Sequence, residues 1–185
     1  MKKLFTLLLA VMMITALFAG CGAGKDDTVL TMATSADFPP YEYYENDKIV
    51  GIDIEIMEAV CAKIGMELKP EDMSFDSVIG AAQTGKADIA MSGITVTEDR
   101  KQMVNFTIPY TSTAQSIIVI SGGEIATKAD LEGKTIAVQT GTTAESGCQD
   151  EGVSVQAFAA NADAKAALTT SKVDAWVVDN LTAIQ

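Results

Sequence analysis

Apolar positions along the chain follow two periods. Short apolar runs at residues 29–33, 67–69 and 89–91 read as strands, and the segments between them carry helical spacing. After Ile49-Val50-Gly51-Ile52-Asp53, the residues Ile54, Met57, Cys61 and Ile64 recur every three or four positions, with Val60 beside them. That spacing predicts a helix with one core face, which Gly65 ends. Ser74-Phe75-Asp76 caps a second helix over 77–84, stopped by Gly85. Residues 34–43 contain Pro39 and Pro40 and read as loop, and the strand at 67–69 ends before Pro70. A continuous apolar strand at 116–120 opens a second series: a helical turn at 127–131, strand 135–139, loop 140–143 and a helix from Ala144. Strand 154–158, helix 163–170 and strand 175–178 complete it.

Strands separated by helices form βαβ units, so an α/β class with mostly parallel sheets flanked by helices is expected. The two series predict two lobes, 28–113 and 114–185, joined across residues 111–115 with a cleft between them. In such sheets ligands gather at the carboxyl ends of strands. The segments around 35–38, Phe75 and 93–100 all follow strands and can share one rim.

The 185 residues are 48% apolar and 21% charged, which suits a globular chain of one or two small domains. A net charge of −12 without a basic patch argues against nucleic acid or an anionic membrane as partner. Histidine is absent, which excludes histidine triads, histidine-liganded metals and a histidine pH switch. Neither a metal nor another cofactor is expected. Lys2 and Lys3 precede an apolar run at 4–18, and Leu17-Phe18-Ala19-Gly20-Cys21 closes it with small residues. Residues 1–20 therefore read as a secretory signal, too short for a comfortable membrane span, and 21–27 as a polar tether. Cys61 falls on the apolar face of its helix, while Cys148 sits in a polar, Gly-flanked stretch. Their spacing supports neither a metal site nor a disulfide framework.

The richest stretch is Ser92-Gly93-Ile94-Thr95-Val96-Thr97-Glu98-Asp99-Arg100. Thr97 is a good N-cap, and Glu98 and Asp99 suit a first helical turn. Arg100 opposes the helix dipole there. A carboxylate ligand would favour it, taking the guanidinium fork, a backbone N–H such as that of Thr95 and the positive helix end together. A solvated surface arginine fits the spacing equally well.

Ala33-Thr34-Ser35-Ala36-Asp37-Phe38-Pro39-Pro40-Tyr41-Glu42-Tyr43, Val50-Gly51-Ile52-Asp53-Ile54-Glu55-Ile56 and Met91 through Lys101 together resemble the amino-acid-binding extracellular solute-binding proteins of ABC transporters, bacterial family 3. Gly133 through Thr143 resembles the matching loop of their second lobe, and Leu17 through Cys21 resembles the bacterial lipobox. The resemblance implies a two-lobed, type II periplasmic-binding-protein-like fold. It also implies a monomer that delivers a free amino acid to ABC-transporter permease subunits, anchored outside the cytoplasm by lipid (palmitate) chains on Cys21.

By the same resemblance, Arg100 would clamp the ligand α-carboxylate with the Thr95 and Thr142 or Thr143 N–H groups. The Gly93 carbonyl, the Thr95 hydroxyl and Asp179 would receive the α-ammonium. A zwitterion needs this pairing of donors at one end and acceptors at the other. Asp179 is alternatively the N-cap of the segment from Asn180. Phe38 and Phe75 would sandwich the ligand side chain, although Phe75 also suits a hydrophobic staple. Ser35, Asp37, Ser92 and Gln139 complete the expected contacts, with Asp37 otherwise a turn residue. Tyr41, Tyr43 and Tyr44 are expected to cover the loop. Family members carry further elements after the position of Asp179, so by the resemblance the second lobe is incomplete at Gln185. A periplasmic dehydratase on the same scaffold and the sensing domain of a receptor are the alternatives, and the chain is not expected to be an enzyme.

Overall fold

A computed structural model describes residues 27–185. The expected signal, Cys21 and most of the tether lie outside the described residues. Among the described residues no helix is long and apolar enough to cross a membrane.

The first lobe is built on β1 (Val29–Thr34), with β5 (Glu67–Asp72) and β6 (Ile89–Ala90) parallel on either side, in the order β5-β1-β6. Successive residues of β1 face opposite ways. Met32 packs with Ile54, Met57 and Cys61 of α1 (Ile52–Ile64), and Ala33 packs with Val78 and Ala81 of α2 (Phe75–Gln83). Gly65 ends α1 in the left-handed conformation, as its position predicts. Ile64 and Val60 do not join the core: they are 55% and 40% exposed. The inward face of α1 instead begins one residue earlier, at the fully buried Asp53.

Strand assignments differ from the sequence reading in three places, one of them the strand expected at 116–120, which runs over Gln115–Ile118. β5 runs through Pro70 because it is an edge strand, where a missing N–H on the outer side breaks no ladder. Residues 34–43 are not a plain loop: β2 (Asp37–Phe38), β3 (Glu42–Glu45) and β4 (Lys48–Val50) form a small antiparallel sheet. Its tight turn uses Asn46 and Asp47, both with positive φ, a conformation that Asn and Asp tolerate best among side-chain-bearing residues. The prolines obscured the Glu42–Glu45 strand in the sequence.

The second lobe is a four-stranded sheet in the order β7-β10-β8-β9: β7 (Gln115–Ile118), β8 (Thr135–Gln139), β9 (Ser154–Phe158) and β10 (Ala175–Asp179). β8, β9 and β10 are parallel, whereas β7 runs antiparallel to β10. Ile136, Val138, Ala175 and Val177 face α4 (Thr143–Asp150), and Ala137, Trp176 and Val178 face α5 (Asn161–Thr169). Cys61 and Cys148 are free and buried in separate clusters, Cys148 on the inner face of α4. Asp179 ends β10 and precedes the short α6 (Asn180–Ala183).

Candidate ligand site in the cleft

The stretch after β6 turns into α3 (Glu98–Lys101), whose N-cap Thr97 accepts the Arg100 backbone N–H at 3.2 Å. This short helix directs Arg100 inward. The side chain is only 9% exposed, which removes the surface-cation reading. Its Nη1 donates to the Thr95 carbonyl at 2.8 Å and its Nη2 to the Gly141 carbonyl, on the loop after β8, at 3.0 Å. The guanidinium carbon lies 5.6 Å from the centre of the Phe75 ring, a cation–π contact at the start of α2. Burial lowers the guanidinium pKa and the nearby Asp179 carboxylate opposes that shift, so the cation persists.

Nine expected residues converge on one pocket. Phe38, Phe75, Gly93, Thr95 and Arg100 come from the first lobe, and Gln139, Thr142, Thr143 and Asp179 from the second. The free volume is about 20 Å³, roughly one water, because the Arg100 side chain crosses the cleft. Phe38 stacks on Tyr41, with centroids 5.3 Å apart and planes at 14°, and lies against Gly93. A Cβ on residue 93 would stand 2.8 Å from the Phe38 ring, and φ is +54° there, so this wall requires glycine.

Asp179 is 8% exposed and makes no cap bond to α6. Its Oδ1 accepts from Gln115 Nε2 at 2.6 Å. Burial raises its pKa, against the lowering effects of Gln115, Thr113 and Arg100. The Thr142 hydroxyl accepts the Glu145 N–H to cap α4 and donates to the Gln139 carbonyl at 2.7 Å, which fixes the loop.

Ser35, Asp37 and Ser92 stand behind these walls. Ser92 donates to Glu42 Oε1 at 2.6 Å and accepts the Ser35 N–H at 3.1 Å, while Asp37 turns towards the second lobe. Two important acids were not singled out from the sequence. Glu42 and Asp53 are fully buried beside each other, and burial raises the pKa of both, that of Glu42 strongly. Neither Glu42 Oε2 nor Asp53 Oδ1 has a hydrogen-bond partner among the described residues, and the negative charge of Asp53 raises the Glu42 pKa further, whereas the Gly93 N–H and Tyr110 lower that of Asp53. Asp53 Oδ2 accepts the Gly93 N–H at 2.8 Å, which sets the residue under Phe38. An acid on the inward side of an amphipathic helix was the available signal.

Residues 30–179 match the profile described as bacterial extracellular solute-binding proteins, family 3. The chain belongs to this family. Among related sequences, the family member is 39% identical over 150 residues to the arginine-binding extracellular protein ArtP of Bacillus subtilis (strain 168), covering 78% of this chain and 58% of ArtP. It is similar to the arginine-bound, truncated ArgBP of T. maritima, with 38% identity and a TM-score of 0.82 over 85% of this chain and 76% of that one. An ancestral arginine-binding protein bound to glutamine matches at 37% identity and a TM-score of 0.82, covering 86% and 72%. These neighbours carry the two-lobed fold. The chain thus spans less than two thirds of the length of ArtP.

Proposed function

We propose that this chain captures a polar amino acid by closing its lobes, 28–113 and 114–185, on the zwitterion and presents it to ABC-transporter permease subunits. The observation that carries the reading is the pairing of Arg100 with Asp179 in one pocket, a buried cation and a buried acid supplied by opposite lobes. Arg100 uses two of its five N–H donors on carbonyls and keeps others for an α-carboxylate, aided by the Thr95 and Thr142 or Thr143 N–H groups. Asp179, the Gly93 carbonyl and the Thr95 hydroxyl receive the α-ammonium. Phe38 and Phe75 flank the side chain beside Gln139, and Ser35 and Ser92 hold the Phe38 wall from behind.

The names of similar proteins, which bind arginine or carry bound glutamine, support a polar amino acid as the ligand class. Among the described residues that line the pocket, Arg100 and Asp179 are the ionisable side chains, which favours zwitterion binding over acid–base elimination. We further propose an extracytoplasmic monomer, processed at residue 20 and lipid-anchored through Cys21. Calorimetry of the chain against the twenty amino acids tests the ligand reading, with saturable one-site heat for at least one of them expected. No heat with any of them would refute it. Metabolic labelling with a palmitate analogue, lost in Cys21→Ala, tests the anchor.

A further inference from the structure

Asp37 stands on β2 of the first lobe, yet its carboxylate serves the second. Oδ2 accepts the backbone N–H of Asn161 at 2.6 Å, and Oδ1 accepts from Gln139 Nε2 at 3.3 Å. Asn161 Nδ2 in turn donates to Gln139 Oε1 at 2.9 Å, closing a ring of three residues through the Asn161 backbone N–H. Asn161 is the first residue of α5 and is 3% exposed, and the residue before it, Ala160, has no side chain able to cap the helix. The first N–H groups of a helix have no partner within it and carry the positive end of its dipole. Here an aspartate 124 residues away in sequence supplies the missing cap across the cleft. The ring of Phe38, next to Asp37, packs on the apolar cluster of the second lobe that includes Ala164, Leu168 and Trp176.

We propose that Asp37 is a closure latch, a positioning residue whose bond to the start of α5 holds the lobes together without touching the ligand. Donor and acceptor belong to different lobes, so the bond exists only when they meet. Opening returns Asn161 N–H to water and leaves α5 uncapped. The latch rests on the receptor reading only for its effect on ligand residence, because it acts on the ligand-free chain as well.

Asn161 offers a substitution that removes the donor alone. Proline is tolerated at the first helical position, and Ala160 already has the extended backbone that must precede proline, with φ −121° and ψ 145°. Asn161→Pro removes the N–H and the side chain, whereas Asn161→Ala removes only the side chain. Spin labels on Lys86→Cys and Lys172→Cys, two exposed positions on different lobes, report the separation by pulsed electron resonance on the full chain. In the ligand-free chain, Asp37→Ala and Asn161→Pro should each lower the closed-to-open ratio at least about tenfold. Asn161→Ala should do less, Asp37→Asn should be intermediate, and Asp37→Ala combined with Asn161→Pro should add nothing further.

The latch is overturned if Asp37→Ala leaves the distance distribution unchanged, including the case in which the unsubstituted chain is already open. It is equally overturned if Asn161→Pro behaves as Asn161→Ala, or if both variants melt earlier without opening. Titration with L-arginine and L-glutamine separates the two readings. If neither binds the unsubstituted chain, receptor function on these probes fails while the distances still decide the latch. If one binds, Asp37→Ala should release it about tenfold faster with an unchanged association rate.

Discussion

Arg100 bridges the cleft to Gly141. One arm of its guanidinium holds the Thr95 carbonyl of its own lobe and the other holds the Gly141 carbonyl opposite, at 2.8 and 3.0 Å. A bound carboxylate would therefore meet a cation already aligned and largely dehydrated, which strengthens its pull.

Replacing Arg100 removes both the clamp and the bridge. Arg100→Ala is expected to cost at least about 2–3 kcal/mol of amino-acid binding. Arg100→Lys should recover little, since an ammonium cannot reproduce the planar fork. Calorimetry with the best-binding amino acid decides this, and unchanged affinity in Arg100→Ala would exclude the carboxylate role.

Gly141 is a site where closure leaves no room. Its φ is +78°, and a Cβ there would lie 3.0 Å from Asp76 Cβ and 3.1 Å from Asp76 Cα, at the start of α2 in the facing lobe. Gly141→Ala should fold with a loss of about 1 kcal/mol from the backbone conformation, and should bind at least several-fold more weakly because the methyl obstructs the closed state. Small-angle scattering that shows an unchanged ligand-bound radius, with wild-type affinity, would contradict it.

The Asp179 carboxyl titrates above its ordinary value because it is buried, so protonation begins at a higher pH than for an exposed aspartate. Its negative charge is what an α-ammonium requires. Affinity should therefore fall as the pH drops into the acid range, by up to about tenfold per pH unit once Asp179 is mostly protonated. Asp179→Asn should bind weakly at neutral pH and show a flat profile. An acid limb that survives in Asp179→Asn would assign it to another group.

Glu42 makes a separate prediction about stability. Its folded pKa stands well above 4.5, so the native state binds the proton more tightly than the unfolded chain. Stability from this group is then greatest below the unfolded value and declines as the pH rises towards the folded one. Glu42→Gln keeps an amide donor for Asp53 and a carbonyl acceptor for Ser92, so it should flatten that decline and raise the melting temperature at neutral pH. Urea unfolding at several pH values measures the slope, and an unchanged slope in the variant would remove Glu42 as its source.

Apolar spacing was enough to place β1, β8, β9 and β10 within a residue: β8 and β10 are buried on both faces and carry apolar runs, whereas the edge strand β9 alternates between half-buried and exposed positions. The small antiparallel sheet was hidden, since Tyr43, Tyr44 and Glu45 alternate too weakly beside two prolines. Nine of the residues that the family resemblance implies line one pocket. The destinations of Asp37 and Glu42 were not legible in the sequence, because a carboxyl that faces a helix end or a second carboxyl leaves no mark on local pattern, and Asp53 was marked only by its place on the inward side of α1. Their partners lie 124 residues away for Asp37 and 50 for the Ser92 bond of Glu42.

β7 begins where the chain crosses between lobes. Gln115 pairs with Asp179 in the β7–β10 ladder and also grips its carboxylate, and the Asn180 N–H donates to the Ala114 carbonyl at 2.9 Å. The residue proposed to receive the ammonium is thereby spliced to the crossover strand. A force on Asp179 would be delivered within one residue of the crossover strand, so under the proposed function detection of the ammonium and rotation of the lobes would share a single mechanical joint.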